Sequence, residues 1–175
     1  MATQPTAHAS RGVLASENDS KREQLLDMLT TAYWMEMETV MSYVANSINP
    51  DGIRAQEIIE ALEQDVLEEL GHARQFGHRI KELYGVVPGS DGFRASQSYL
   101  QPPERQTDIA HVIRGVIQAE TGAIDHYNDI IEFTDGFDPV TQDMVITILR
   151  DEEGHKRLFE GFLREFDEAG ADPRG

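Results

Sequence analysis

Four glutamates and two histidines are the residues of this sequence whose types and spacing could do chemistry together. They are Glu36, Glu69, His72, Glu120, Glu152 and His155. Each glutamate lies in a row of apolar residues that recurs every three or four positions, the spacing of one helix face. Two of them are followed three residues later by a histidine, and residues three apart project from the same side of a helix. The pattern predicts carboxylates and imidazoles that face a helical core.

Carboxylates directed into an apolar core need positive charge beside them. Glutamate is rarely buried unless it is paired or bound to metal, and four carboxylates in one dry core would raise one another's pKa values. Two divalent cations would balance the four negative charges, and neutral imidazoles would complete the coordination. We therefore expect a site for two metal ions, with each Glu-x-x-His pair reaching one ion. The lone glutamates, Glu36 and Glu120, would cap or bridge from the other two helices.

Other polar residues near these positions receive ordinary structural interpretations. Three carboxylates beside the proposed ligands are interpreted as solvated surface groups: Glu38, Glu68 and Glu153. Asp65 falls in the core-facing row of the second helix. We expect it to support the ligands or a helix end, with transient ion binding as the alternative. Tyr43 and Tyr127 each follow a ligand glutamate by two helical turns, which favours core packing and allows a hydrogen bond to a ligand carboxylate.

Four helices must position these side chains. Their predicted bounds are 21–47, 54–84, 108–133 and 138–168. Turn signals separate them, among them Asn49-Pro50-Asp51-Gly52 after the first helix and the N-cap pair Asp138-Pro139 before the fourth. No segment alternates polar and apolar residues with the period of a strand, so the predicted fold class is all-α.

The lengths of the connections predict how the helices are arranged. The first and third connections are short, which gives two antiparallel hairpins, whereas the second, residues 85–107, is long. At about 3.3 Å per residue it can span the ~45 Å of a thirty-residue helix. A long crossover of this kind is typical of ferritin-like antiparallel four-helix bundles. The bundle is predicted over residues 21–168, with a flexible tail over 1–20 and a short C-terminal tail over 169–175.

Charge and composition exclude several classes of function. The chain of 175 residues has no cysteine, which excludes disulfides and thiolate metal sites. It carries 32 acidic against 15 basic residues, a net charge of −17, which repels nucleic acid and attracts cations. Solubility or adaptation to high salt explains this charge equally well. No apolar run could span a membrane and no secretory h-region is present, so we expect a cytoplasmic protein without membrane or nucleic-acid partners.

Short segments around the proposed ligands resemble the bacterioferritins. The four segments are Glu36-Met-Glu-Thr-Val-Met-Ser-Tyr43, Glu69-Leu-Gly-His72-Ala, Gln118-Ala-Glu120-Thr-Gly-Ala and Ile148-Leu-Arg-Asp-Glu152-Glu-Gly-His155. They are similar to the first, second, third and fourth helices of that family, and the resemblance covers about residues 21–167. It implies that the six proposed ligands form a ferroxidase centre, which oxidises Fe²⁺ with hydrogen peroxide or oxygen. It also implies two iron ions per chain, with manganese or zinc as possible substitutes.

Three differences from the bacterioferritins limit which of their properties the resemblance implies for this chain. Leu70 stands where bacterioferritins have their haem-ligating methionine, so haem is not expected. The seven residues after the fourth helix are too few for the fifth helix of 24-subunit ferritins. The long crossover is more similar to that of Dps-like thioferritins, which carry a bacterioferritin-type site in a twelve-subunit shell. Those proteins often have a cysteine pair near the site, and Gly122 stands at one of the two places. The resemblance implies a homo-oligomer of twelve subunits.

Two other classes of protein remain open at this point. One is a rubrerythrin-like di-metal peroxidase or a di-iron oxygenase that does not store iron. Four small residues would leave an oxygenase room for an organic substrate: Ala32, Ala73, Gly122 and Ala123. The other is a structural or DNA-coating bundle, which is disfavoured because Arg11 is the only basic residue of the Lys or Arg type before Lys21. Iron retained after oxidation would distinguish a storage cage from a di-metal enzyme.

Overall fold

The computed structural model describes residues 12–171, with side chains described for residues 12–168. Its four helices are α1 (Asp19–Ile48), α2 (Gln56–Glu82), α3 (Ile109–Thr134) and α4 (Pro139–Ala171). The other regular elements in this range are single turns of 3-10 helix, so the predicted all-α class is confirmed. Within the same range no helix is both long and apolar enough to cross a membrane.

The helices pack as two hairpins that enclose one core. α1 packs along α2 and α3 along α4, with less contact between α1 and α3. Apolar side chains form two clusters along the bundle, one including Leu29 and Phe76 and the other including Leu62 and Phe159. Because these residues recur at helical spacing, each helix buries one stripe of its surface. On each helix the predicted ligand glutamate lies between residues of the two clusters.

Both ends of the described chain depart from the predicted tails. Residues 12–18 form two single 3-10 turns, and α1 already begins at Asp19. Val13 is buried in the core, and its carbonyl accepts a hydrogen bond of 3.0 Å from Arg22. Residues 12–20, which the sequence places in the predicted tail, are thus held against the bundle by the apolar side chain of Val13. α4 continues past its predicted end to Ala171, while residues 1–11 and 172–175 lie outside the described residues.

The crossover between α2 and α3 lies over the groove between α1 and α3. It contains single 3-10 turns at Ser90–Gly92 and Ser98–Leu100. The side chain of Asn46 on α1 donates a hydrogen bond of 2.7 Å to the carbonyl of Leu100. On α3, Gly115 permits close approach of the chain, since a Cβ atom there would lie 2.5 Å from the carbonyl oxygen of Tyr99. The crossover therefore contacts both helices.

A buried ion pair joins the end of α2 to the start of α4. Arg79 donates hydrogen bonds of 2.8 Å to both carboxylate oxygens of Asp138 and one of 2.7 Å to the hydroxyl of Thr141. Asp138 also accepts from the backbone N–H of Thr141 at 3.2 Å, as expected of a helix N-cap. Removing one partner of a buried pair costs about 3–5 kcal/mol, because the other charge is left without compensation.

Candidate metal centre

The six predicted residues come together halfway along the bundle, and none is more than 9% exposed. Their ligand atoms form two groups, and within each group all the atoms lie within 4.8 Å of one another. The first group is Glu36, Glu69, His72 and Glu152, and the second is Glu69, Glu120, Glu152 and His155. Glu69 and Glu152 belong to both groups, whereas each lone glutamate belongs to one.

The two groups show which glutamates are shared, which the spacing of the residues along the sequence does not predict. Each lone glutamate falls in a different group, whereas the glutamates of the two Glu-x-x-His pairs are common to both groups. The Nδ1 atom of His72 is 3.2 Å from Glu69 and 3.0 Å from Glu152. The Nδ1 atom of His155 is 3.4 Å from Glu69 and 3.3 Å from Glu152. Each imidazole therefore faces both shared carboxylates.

Protons offset the crowding of negative charge among these side chains. Burial, together with the charges of Glu69 and Glu152, raises the pKa of Glu36 and that of Glu120 well above the usual range. Burial alone would lower the pKa of His72, but the neighbouring carboxylates of Glu152 and Glu69 raise it to about 10. Burial would also lower the pKa of His155, but the neighbouring carboxylates of Glu152 and Glu69 raise it to about 12. At neutral pH the metal-free cluster thus holds protons that a cation would displace.

Several buried atoms of the cluster make no hydrogen bond to any described residue. They are Oε1 of Glu69, both carboxylate oxygens of Glu152, Nδ1 of His155 and, just outside the cluster, Oδ2 of Asp65. A buried polar atom left unsatisfied costs about 1–3 kcal/mol, so such atoms need another partner. Carboxylate oxygens and imidazole nitrogens are donors that suit iron, manganese and zinc. The donor set therefore fits a pair of cations.

Two tyrosines orient the lone glutamates from the opposite helix. The hydroxyl of Tyr43 on α1 donates to Glu120 on α3, and the hydroxyl of Tyr127 on α3 donates to Glu36 on α1. Both tyrosines are fully buried. The expected core packing is present, and so is the hydrogen bond that the spacing allowed. Such bonds restrict the rotation of a carboxylate and fix where its free oxygen points.

Glu38 is a buried residue that the sequence interpretation placed wrongly on the surface. It is 4% exposed, and its carboxylate accepts from the backbone N–H groups of Ser96 and Gln97 at 2.9 and 2.8 Å. The prediction of a solvated group is wrong because the crossover covers this face of α1. A crossover without helical or strand periodicity carries no signal of where it will lie. Glu153, by contrast, is exposed as predicted.

Two acidic residues of α2 lie beside His155. Glu68 is only partly exposed, and its carboxylate is 3.1 Å from Nε2 of His155, so its interpretation as a solvated group is incomplete. Asp65 is 4% exposed, and its Oδ1 lies 3.8 Å from the same nitrogen. Burial raises the pKa of Asp65 to about 6, although the charge of His155 opposes this. Asp65 thus occupies the supporting position expected of it.

Comparison with known proteins places the fold in a family. The family model described as a ferritin-like domain matches residues 26–169. The chain belongs to the ferritin-like family. It is 32% identical over 146 residues to the DNA protection during starvation protein of Pyrococcus furiosus, an alignment that covers 81% of this chain and 77% of that protein.

Solved structures share the ferritin-like architecture. A dodecameric thioferritin, the bacterioferritin-related protein of Bacteroides fragilis, superposes with a TM-score of 0.79 at 23% identity, over 88% of this chain and 92% of that one. The bacterioferritin of Desulfovibrio desulfuricans, described with a diiron site, gives a TM-score of 0.74 at 18% identity, over 87% and 85% of the two chains. The predicted ferritin-like bundle and the resemblance to bacterioferritins and Dps-like proteins are confirmed.

Proposed function

We propose that this ferritin-like protein is a ferroxidase, which binds two Fe²⁺ ions as substrate in its core and oxidises them with hydrogen peroxide or oxygen. The observation that carries the proposal is the pair of overlapping ligand groups that share Glu69 and Glu152. Two ions held by common ligands lie about 3.5–4 Å apart, so one oxidant molecule can reach both. Anionic oxygen ligands also favour Fe³⁺ over Fe²⁺, since the higher charge gains more from them.

The chemistry needs binding, orientation and protons from the protein. With hydrogen peroxide, each Fe²⁺ gives up one electron while the O–O bond breaks: 2 Fe²⁺ + H₂O₂ + 2 H⁺ → 2 Fe³⁺ + 2 H₂O. Tyr43 and Tyr127 hold the two lone glutamates in position by their hydrogen bonds. His72 and His155, whose pKa values are raised to about 10 and about 12, give up protons when they bind cations. These protons are released where reduced oxygen requires them.

We also propose that the chain works in the cytoplasm as part of a twelve-subunit cage that retains the oxidised iron, with two iron ions per chain at the centres. The structural relative from Bacteroides fragilis, a dodecameric thioferritin, supports this. So do the exposed apolar side chains of Met41, Ile48 and Ile53, which are 58%, 74% and 100% exposed and suit contacts between copies. The net charge of −17 would draw Fe²⁺ toward such a shell.

The test of the site compares two glutamates on the same helix. Metal-free protein is loaded with Fe²⁺ without oxygen, and oxidation is followed by stopped-flow absorbance after adding hydrogen peroxide or oxygen in separate runs. Glu69→Ala should slow rapid oxidation by at least about a hundredfold, because a ligand shared by both ions is lost. Glu63→Ala is the matched control, since Glu63 is exposed on α2. Near-normal kinetics in Glu69→Ala would overturn the assigned site.

Storage is tested separately, by size exclusion with iron analysis after oxidation. Many iron ions per chain, eluting with a large particle, are the expected result. About two iron ions per chain on a small species would instead indicate a di-metal peroxidase or oxygenase. Loss of all iron from the protein would contradict the proposed function and leave manganese as the metal to examine.

A further inference from the structure

The crossover residues 96–100, here called the strap, are fixed to α1 by polar side chains. The carboxylate of Glu38 accepts from the backbone N–H and hydroxyl of Ser96 at 2.9 and 3.0 Å. It also accepts from the backbone N–H of Gln97 at 2.8 Å. At the other end of the strap, Asn46 donates to the carbonyl of Leu100 at 2.7 Å. The backbone of the strap is therefore held at both ends.

The opposite side of the strap rests on two glycines of α3. The backbone of Tyr99 touches α3 at Gly115, where a Cβ atom would collide with it. The Tyr99 side chain then extends along the helix, and its hydroxyl would lie 3.8 Å from a Cβ atom at Gly122. Leu100, next to it, is 1% exposed and packs into the core. The partly buried ring of Tyr99 thus packs against the apolar cluster that includes Leu62, while its hydroxyl end lies over Gly122.

The strap contacts α1 and α3 along the part of each helix that carries Tyr43 and Glu120. On α1 its anchors Glu38 and Asn46 bracket Tyr43, which binds Glu120. On α3 the two glycines bracket Glu120 itself. Burial, followed by the charges of Glu38 and Glu120, raises the pKa of the Tyr99 hydroxyl. A molecule entering through the α1–α3 groove must pass the strap.

Given the proposed ferroxidase function, on which this inference rests, we propose that Tyr99 sets the size limit for oxidants that reach the metal centre through the α1–α3 groove. Because its hydroxyl lies over glycine and makes no hydrogen bond to a described residue, the ring can rotate aside without breaking any hydrogen bond that anchors the strap backbone. The opening made in this way admits hydrogen peroxide. A hydroperoxide that carries a bulky organic group is excluded while the strap backbone stays in place.

The first test compares oxidants of different size in the full-length protein. tert-Butyl hydroperoxide can oxidise the same substrate: 2 Fe²⁺ + ROOH + 2 H⁺ → 2 Fe³⁺ + ROH + H₂O. We measure the ratio of its initial rate to that of hydrogen peroxide. Tyr99→Ala should raise this ratio by about tenfold or more, a change of about 1.4 kcal/mol in relative barriers. Tyr99→Phe, which keeps the ring, and Tyr84→Ala, which removes an exposed tyrosine beyond the end of α2, should leave the ratio unchanged.

The second test needs no oxidation of iron. Co²⁺ bound to the same ligands absorbs visible light, and this absorption changes when an added anion enters its coordination sphere. In the wild-type protein azide should change the spectrum readily and benzoate slowly, whereas in Tyr99→Ala both should act at similar rates. This readout also reports whether the variant still assembles the centre.

The two tests separate failure of this inference from failure of the proposed function. An unchanged oxidant ratio and unchanged anion selectivity in a folded, Co²⁺-binding Tyr99→Ala protein would overturn the role of Tyr99. A changed ratio in Tyr99→Phe would also overturn it, because the effect would then depend on the hydroxyl rather than on size. If wild-type protein oxidises no Fe²⁺ with either peroxide but discriminates between the two anions, the ferroxidase proposal fails and the access role of Tyr99 stands.

Discussion

The two hairpins bring matching ligands to the centre but surround them differently. α1 and α2 supply Glu36 and the Glu69–His72 pair, and α3 and α4 supply one lone glutamate and the second Glu-x-x-His pair. Each lone glutamate accepts a hydrogen bond from a tyrosine of the other hairpin. Within this inner layer the two halves are related by an approximate two-fold exchange.

The approximate two-fold relation between the hairpins does not extend to the residues that surround the proposed ligands. Asp65 stands four residues before the shared glutamate of α2, whereas the equivalent place on α4 is the fully buried Ile148. As a result Nε2 of His155 faces two carboxylates, whereas among the described residues Nε2 of His72 faces that of Asp151 alone, at 3.7 Å. The two ion positions have the same kinds of ligand but different numbers of negative charges around them, so they should differ in their affinity for a cation. We therefore expect the position beside His155 to bind a divalent ion more tightly.

The largest expected effect comes from removing one lone glutamate at a time. Glu36→Ala and Glu120→Ala should each weaken binding of one Co²⁺ ion by about a hundredfold or more and leave the other in place, because each residue serves a single position. Calorimetric titration measures the stoichiometry. Glu23→Ala on α1 and Glu132→Ala on α3 remove exposed glutamates and serve as controls. Loss of both ions in either variant would show that the halves cannot be separated.

The next largest effect concerns pH. The pKa values of His72 and His155 are raised to about 10 and about 12, so both hold protons at pH 7 in the metal-free protein, and the pKa values of Glu36 and Glu120 are raised as well. Binding must displace these protons, so ion affinity should fall as pH falls, by about tenfold per pH unit for each proton displaced. A pH indicator in weak buffer measures the release on adding Co²⁺. Absence of release would contradict this prediction.

The smallest expected effect tests whether Asp65 causes the difference in affinity between the two ion positions. Asp65→Asn should weaken the tighter Co²⁺ site several-fold and leave the other unchanged. A charge one layer from the ion contributes about 1 kcal/mol once water screens it. The variant should bring the two affinities closer together in a calorimetric titration. Equal weakening at both positions would mean that Asp65 does not distinguish them. Asp143→Asn, an exposed change on α4, controls for the loss of one negative charge.

The side chains that meet at the candidate centre could be predicted from the sequence because they lie on regular helices. Glu36 and Glu152 fall in apolar rows whose spacing identifies the buried face, and helical geometry then determines which side chains meet. The helix ends were also predictable to within a few residues, since turn residues mark them. Which glutamates are shared between the two ion positions depends on how the hairpins are aligned along the bundle axis, and no single helix contains that information.

The misplaced residues lie where irregular chain covers a helix. Glu38 has the spacing of an exposed residue on α1, and only the course of the crossover makes it buried. Val13 precedes the first periodic segment, so its anchoring contact with the core has no local signal. Tyr99 and its position over Gly122 could not be found from spacing, because no period relates a crossover residue to the helix beneath it.

The ion pair between Arg79 and Asp138 bears on how accurately the centre can be assembled. It fixes the end of α2 against the start of α4 about 15 Å along the helix from Glu69. Apolar ridges repeat along a helix, so packing alone distinguishes weakly between neighbouring registers of two long helices. The hydrogen bonds from Arg79 to both oxygens of Asp138 can form in one register alone. Metal ligands must lie within about 0.2 Å of their ideal places. The ion pair sets the coarse alignment of α2 and α4. A cation that binds at the centre then needs to shift the ligand atoms by only a fraction of an ångström.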